Sequence, residues 1–148
     1  MITAIVAVLG TLAGALLTGA LQHFSQRAQR TTAEATTRRN EGIAAVSELA
    51  TALADHRRAM WVREDLRLRG EDWTDARTAS HATRSAITAP LLRVSILLPG
   101  LAPTAQDAAD ATYALRNVPD QTSLNAQRAN AIEASDHLVI TAGPALNA

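Results

Sequence analysis

One stretch of the sequence constrains the fold more than any other: residues 2–21 run for 20 positions without a charge or a proline. The stretch reads ITAIVAVLGTLAGALLTGAL. A helix rises about 1.5 Å per residue, so a helix of this length matches a bilayer core of about 30 Å. A core helix of a soluble protein is disfavoured because the stretch has no polar face. We therefore predict a transmembrane helix over residues 1–21.

A secretory signal peptide is the other alternative for this stretch. Such peptides place basic residues before an apolar region of about 7–15 residues. Here nothing basic precedes Ile2 except the amino terminus, and the apolar run is longer, although Thr18-Gly19-Ala20 could serve as a weak cleavage site. The transmembrane interpretation is therefore preferred.

The residues after the stretch predict its orientation. Just after it lie four basic residues, Arg27, Arg30, Arg38 and Arg39, and one acidic residue, Glu34. Because positive residues stay in the cytoplasm, we expect a single-pass protein of the cell membrane. Its amino terminus would lie outside and its carboxyl-terminal domain in the cytoplasm. The first two arginines would also contact anionic lipid head groups, so membrane lipid is an expected partner.

Small residues recur within the hydrophobic stretch at helical spacing. Gly10 and Gly14 form a GxxxG motif. The candidate self-association residues are Ala7, Gly10, Thr11, Gly14, Ala15 and Thr18. Rows of small residues let helices approach closely in lipid, which predicts a homo-oligomer. The alternative is that Gly and Ala are simply common in the spans of a GC-rich genome, and the two interpretations weigh about equally.

The rest of the chain predicts helices only. Residues 22–37 are polar, contain neither Gly nor Pro, and would continue the first helix as a stalk. Residues 38–69 carry apolar side chains at helical spacing, with Val46, Leu53 and Met60 seven residues apart. A parallel acidic row contains Glu34, Glu41, Glu48 and Asp55. The rows predict a helix with a solvated edge, and a bundle helix is favoured over a short coiled coil.

Three more helices are predicted after a turn at residues 70–74. They span residues 75–98, with a kink or break near Ala89 caused by Pro90, then 104–117 and 122–142. The apolar run at residues 89–98 is too short to span a membrane and should be core. A capping box at Thr104 would start the third helix. The predicted fold is all-α: a membrane helix and stalk, an antiparallel bundle of about four helices over residues 38–142, and a frayed tail at 143–148.

Arginines concentrate where the long helix ends. Residues 56–69 contain two acids and five arginines, namely Arg57, Arg58, Arg63, Arg67 and Arg69. They form a possible patch for an anionic partner such as phosphate, anionic lipid or an acidic protein. The alternative, which we favour, is structural: cations suit the carboxyl end of a helix, and arginine stems cover apolar surface.

The sequence contains no catalytic or metal-binding signature. It has no cysteine, its four histidines are scattered, and adjacent carboxylates such as Glu64-Asp65 point apart on a helix. Neither a nucleophile elbow nor a phosphate-binding loop is present. We expect no enzyme activity and no cofactor, and a net charge of zero makes sequence-specific nucleic-acid binding improbable.

Three segments resemble a known family when taken together: AVLGTLAGALLTGALQHFSQR at residues 7–27, LADHRRAMWVRED at 53–65 and ATYALR at 111–116. They resemble the KilB-like family of small streptomycete proteins tied to conjugative plasmids. The resemblance implies a membrane-associated, oligomeric accessory protein for plasmid transfer and its spread between mycelial compartments, with other transfer proteins as partners. It implies no residue roles. A membrane-anchored scaffold or adaptor unrelated to plasmids is the alternative function, and a holin-like membrane disruptor is a third.

Overall fold

The computed structural model describes the backbone of residues 2–147 and the side chains of residues 33–147, and over that range it is helical without any strand. The helices are α1 (Ile2–Arg69), α2 (Thr74–Leu97), α3 (Ala102–Tyr113) and α4 (Gln121–Ala145). A short 3₁₀ turn, Pro99–Leu101, precedes α3. The all-helical prediction is confirmed.

Contacts between residues divide the chain into two units, Met1–Arg38 and Arg39–Ala148. The first unit is the amino-terminal part of α1, and the second contains the rest of α1 with α2, α3 and α4. The predicted membrane helix at residues 1–21, and the stalk up to residue 32, lie outside the described side chains. Within residues 33–147, no helical segment combines the length and the apolar character that crossing a membrane requires.

Contacts across the second unit show that α2 runs antiparallel to α1. Arg93 near the end of α2 pairs with Glu48 on α1, with 2.9 Å between Nη1 and Oε2. Nearer the start of α2, Thr83 Oγ1 lies 2.9 Å from Nδ1 of His56. Later residues of α1 therefore meet earlier residues of α2.

Helix α4 is also antiparallel to α1. Arg57 donates to Oγ of Ser135 over 3.5 Å, and Gly42 lies beside Leu146, just beyond the end of α4. Helix α3 runs in the direction of α1, because Ala105 near its start belongs to the same buried cluster as Leu49, whereas Tyr113 at its end stacks edge-to-face on His56 with 5.7 Å between ring centroids. The second unit is thus an up-down-up-down bundle of four helices.

The core forms two apolar clusters along the bundle. The larger contains Ala45, Val46, Leu49, Leu53, Ile87, Val94, Leu101, Ala105, Ala108, Ala109, Leu138 and Ala142. The smaller contains Met60, Leu115, Val118, Leu124 and Ala131. The apolar heptad row of α1 is buried in them, and the acidic row is exposed, as predicted. Whether α1 also forms a coiled coil with another chain stays a prediction.

The helix ends follow local chemistry, with one exception. Gly70 adopts φ +71°, a left-handed conformation that glycine reaches without strain, and it ends α1 as predicted. Asp120 caps α4 by accepting a 2.7 Å hydrogen bond from the Ser123 amide. The predicted capping box at Thr104 is wrong: α3 begins at Ala102, because Pro103 fits the first helical turn and extends the helix backwards.

Two predictions about α2 need correction. The predicted break is wrong, because the helix continues through Pro90 to Leu97, whereas a kink there stays a prediction. The run at residues 89–98 is core only in part: Val94 is buried in the larger cluster, but Leu92 is 60% exposed and Ile96 is 67% exposed. One face of α2 packs, through Ile87 and Val94, and the other face of the same apolar run points to solvent.

The end of the chain is more ordered than the sequence suggests. Helix α4 was expected to stop at Ala142, but it includes Gly143 and Pro144 and ends at Ala145. Beyond it, Leu146 packs against the larger cluster. A Cβ on Gly42 would come 2.5 Å from Cδ2 of Leu146, so the glycine is what permits this contact.

Candidate functional site: the arginines at the end of helix α1

Arg63, one of the five patch arginines, is part of the interior. It is 6% exposed and lies beside Glu64, which is fully buried, with 3.5 Å between Nε and Oε1. Its guanidinium also stacks on Trp73, 5.2 Å from the ring centroid. Burying an ion pair requires compensating contacts, so Arg63 serves the fold and is not available to a partner.

Two more of the arginines are held by neighbouring groups. Arg67 donates from Nε to Oε2 of Glu64 over 2.6 Å and from Nη2 to the carbonyl of Val118. Arg69 pairs with Asp65 and Glu71, at 2.7 Å in each case. These contacts tie the end of α1 to the following turn and to the segment after α3. The favoured structural interpretation therefore describes these residues well.

Arg57 and Arg58 differ from the other three, since they line a cleft of about 380 Å³ between α1 and α4. The remaining lining residues are Ala54, Trp61 and Arg128. Sequence reasoning missed Arg128, because it lies on the last helix and no local pattern links it to α1. The predicted patch is thus split: three arginines belong to the fold, and two line a cleft with a different arginine and a tryptophan.

A buried polar layer lies next to this region. His56 is 2% exposed and its pKa falls from 6.5 to about 4, first because burial disfavours its charged form and then because Arg84 and Arg63 repel it. The ring of Tyr113 packs against His56, and the guanidinium of Arg84 lies 3.9 Å from the centroid of the tyrosine ring. His56 is therefore neutral at pH 7 and its role is structural.

Large apolar residues remain exposed mainly on α2 and α4, in addition to Ile43 and Val62 of α1. On α2 these are Leu92, Ile96 and Leu97, and on α4 they are Ile132, Val139 and Ile140. Ile132 and Ile140 border a surface depression of about 480 Å³ together with Glu133 and Asp136. Exposed apolar residues concentrated on one face are typical of surfaces that contact other proteins.

The other predicted features are located as follows. The self-association residues Ala7, Gly10, Thr11, Gly14, Ala15 and Thr18 lie outside the described side chains. Among residues 33–147, no group of three or more His, Asp or Glu side chains could hold a metal ion.

The fold and this region define a small all-helical protein in which Arg63, Glu64 and Arg67 are part of a four-helix bundle. The family model described as KilB plasmid transfer protein matches residues 43–146, which is most of that bundle. The chain is 55% identical over 145 residues to Protein KilB of Streptomyces lividans, covering 96% of each chain. The chain belongs to the KilB plasmid transfer protein family, which confirms the resemblance seen in the sequence. No solved structure matches it.

Proposed function

We propose that this chain is a membrane-anchored, self-associating accessory protein of conjugative plasmid transfer and intermycelial spread. The observation that carries the proposal is membership of the plasmid transfer family over nearly the whole chain. The uncharged stretch at residues 2–21 supports the anchor, and its small-residue rows support self-association. The protein acts by location and contact and not by catalysis.

The bundle is the part that the anchor presents to partners. Its exposed apolar residues on α2 and α4 suit contacts with other transfer proteins or with other copies of the chain. The arginines after residue 26 support a cytoplasmic bundle in a cell membrane with the amino terminus outside. A scaffold role outside plasmid transfer has no observation in its favour, since the family relationship covers the bundle itself.

Transfer assays test the function directly. A conjugative plasmid that lacks this gene is complemented with the wild-type gene or with Gly10→Leu/Gly14→Leu, and spread through recipient mycelium is measured. Bulky residues at both glycines should reduce spread and remove cross-linked oligomers from membranes, because they prevent close helix approach. Leu9→Val/Leu12→Val, on the other side of the helix by its spacing, is the matched control and should behave like wild type. Normal spread without the gene would contradict the proposal.

Topology is tested by labelling. The chain has no cysteine, so single cysteines can be placed at exposed positions such as Ser47 and Asn125. A membrane-impermeant thiol reagent should label them only after the cells are permeabilised. Labelling on intact cells would show that the bundle lies outside.

A further inference from the structure

The cleft between α1 and α4 is lined by three arginines and one tryptophan. Arg57 and Arg58 come from α1, and Arg128 comes from α4. The guanidinium carbon of Arg128 lies 5.6 Å from the ring centroid of Trp61, and Ala54 completes the lining. The cleft therefore combines a cationic rim with an apolar wall.

These arginines are poorly neutralised by the protein itself. Arg57 makes a long 3.5 Å hydrogen bond to the neutral hydroxyl of Ser135. Arg58 lies 3.7 Å from Asp55, but its side chain is 79% exposed, so the pair is weak. Arg128 makes no ion pair within residues 33–147. The fold needs none of the three charges in the way that it needs Arg63 and Arg67.

The electrostatics of the cleft favour a bound anion. Burial lowers the pKa of Arg57, and the neighbouring charges of Arg128 and Arg58 lower it further, against an opposing effect of Asp136. Like charges held close together repel each other, and an anion between them would convert repulsion into attraction. The cleft thus has positive charge available for a ligand.

We propose that the cleft formed by Arg57, Arg58, Arg128 and Trp61 binds a phosphate group. A planar carboxylate suits a single arginine fork, whereas the oxygens of a phosphate group are arranged tetrahedrally and can accept from forks that approach from different directions. The phosphate group belongs to a soluble phosphate or to a phospholipid head group. This site is separate from the membrane stretch and does not depend on the function proposed above.

Titration of the full chain with inorganic phosphate tests the site. In a Trp73→Phe background Trp61 is the single tryptophan, because the chain has two. Phosphate is added at constant ionic strength with chloride as balance, and Trp61 emission and the thermal unfolding midpoint are followed. Both should change with saturation, because a ligand that binds the folded state raises its stability. Sodium acetate under the same conditions should have a much smaller effect.

Matched variants separate the cleft from general charge effects. Arg128→Gln should weaken phosphate binding by at least about tenfold, since a hydrogen bond to a charged group is lost. Arg93→Gln removes one exposed arginine outside the cleft and should change it by no more than about twofold. Arg58→Gln is a second cleft variant in case Arg128→Gln does not fold. Circular dichroism checks the helix content of each protein.

Three results would overturn the site: no response either to millimolar phosphate or to anionic nanodiscs, an equal response to acetate, or unchanged binding in the cleft variants. The acetate result would indicate a surface for acidic proteins. Reconstitution in nanodiscs of phosphatidylcholine, with and without phosphatidylglycerol, shows whether the phosphate group comes from a lipid head group or from a soluble molecule. A Trp61 change in anionic nanodiscs alone identifies a lipid head group, and a change only on adding phosphate identifies a soluble ligand. Either result supports the proposal if Arg128→Gln abolishes it.

Discussion

Mild acid should destabilise the bundle through His56. The imidazole is buried between α1, α2 and α3, next to Thr83 and Tyr113, and the charges that face it are Arg84 and Arg63. Its pKa is about 4 in the folded chain, against 6.5 for an ordinary histidine. Between these pH values the unfolded chain binds a proton that the folded chain does not. Acidification therefore favours unfolding.

The magnitude follows from the difference between the two pKa values. Well above pH 6.5 neither state is protonated at His56 and no stability is lost. Below it, the free energy of unfolding falls by about 1.4 kcal/mol for each pH unit. At pH 5 the loss is about 2 kcal/mol, and it would approach about 3.4 kcal/mol below pH 4. Asp72 and Asp120 accept hydrogen bonds that lower their pKa, so their contributions are lost only at more acidic pH.

Urea unfolding of the full chain at pH 7.5 and at pH 5, followed by tryptophan fluorescence, measures this loss. Wild type is compared with His56→Gln, which keeps a polar side chain beside Thr83 but cannot titrate in this range. The variant should be less stable at pH 7.5 because the ring packing on Tyr113 is lost. Its stability should nevertheless depend on pH by about 2 kcal/mol less than wild type does.

His137→Gln is the matched control, because His137 is exposed on α4. It should retain the full pH dependence of wild type. If His56→Gln loses as much stability between pH 7.5 and pH 5 as wild type, the buried neutral histidine cannot be the cause. If His137→Gln removes the pH dependence of stability, an exposed histidine causes it and the buried one does not.

Two further predictions concern ion pairs and glycines. Glu64→Gln should lower the free energy of unfolding by about 3–5 kcal/mol in urea, because it leaves Arg63 buried without its counter-charge. Glu48→Gln, in an exposed pair, should lower it by at most about 1 kcal/mol. Equal losses in the two variants would contradict the burial argument. Gly70→Ala should lower the free energy of unfolding by about 1–2 kcal/mol, and with it the thermal midpoint, because alanine is strained at φ +71°. Gly100→Ala places its Cβ in open space and should raise the free energy of unfolding by about 0.4–1 kcal/mol by restricting the unfolded chain; a shift of the same sign in both variants would refute this.

The elements were predictable because each has a strong local signal. Periodic apolar residues marked α1, and Gly70 marked its end. The predicted break at Pro90 is wrong. A proline disrupts a helix only where its missing amide and its ring cannot be accommodated, and here Ile87 and Val94 are buried on both sides of it.

The candidate site was only partly predictable. Local charge density found Arg57 and Arg58, but the same density included Arg63, which is paired within the bundle. Which arginines are free depends on what packs against α1, and that is decided by residues far along the chain. Arg128 could not be found for that reason. The exposed face of α2 was missed because an apolar run does not reveal which side is covered.

The contact between Gly42 and Leu146 has a consequence for how the bundle is made in the cell. It joins the beginning of the second unit to the last residues of the chain. The larger cluster also needs Leu138 and Ala142 of α4, so a nascent chain that has exposed only α1, α2 and α3 has an open side. The larger cluster therefore cannot be completed before α4 has been synthesised, so closure of the four helices is a late step in the folding of this unit.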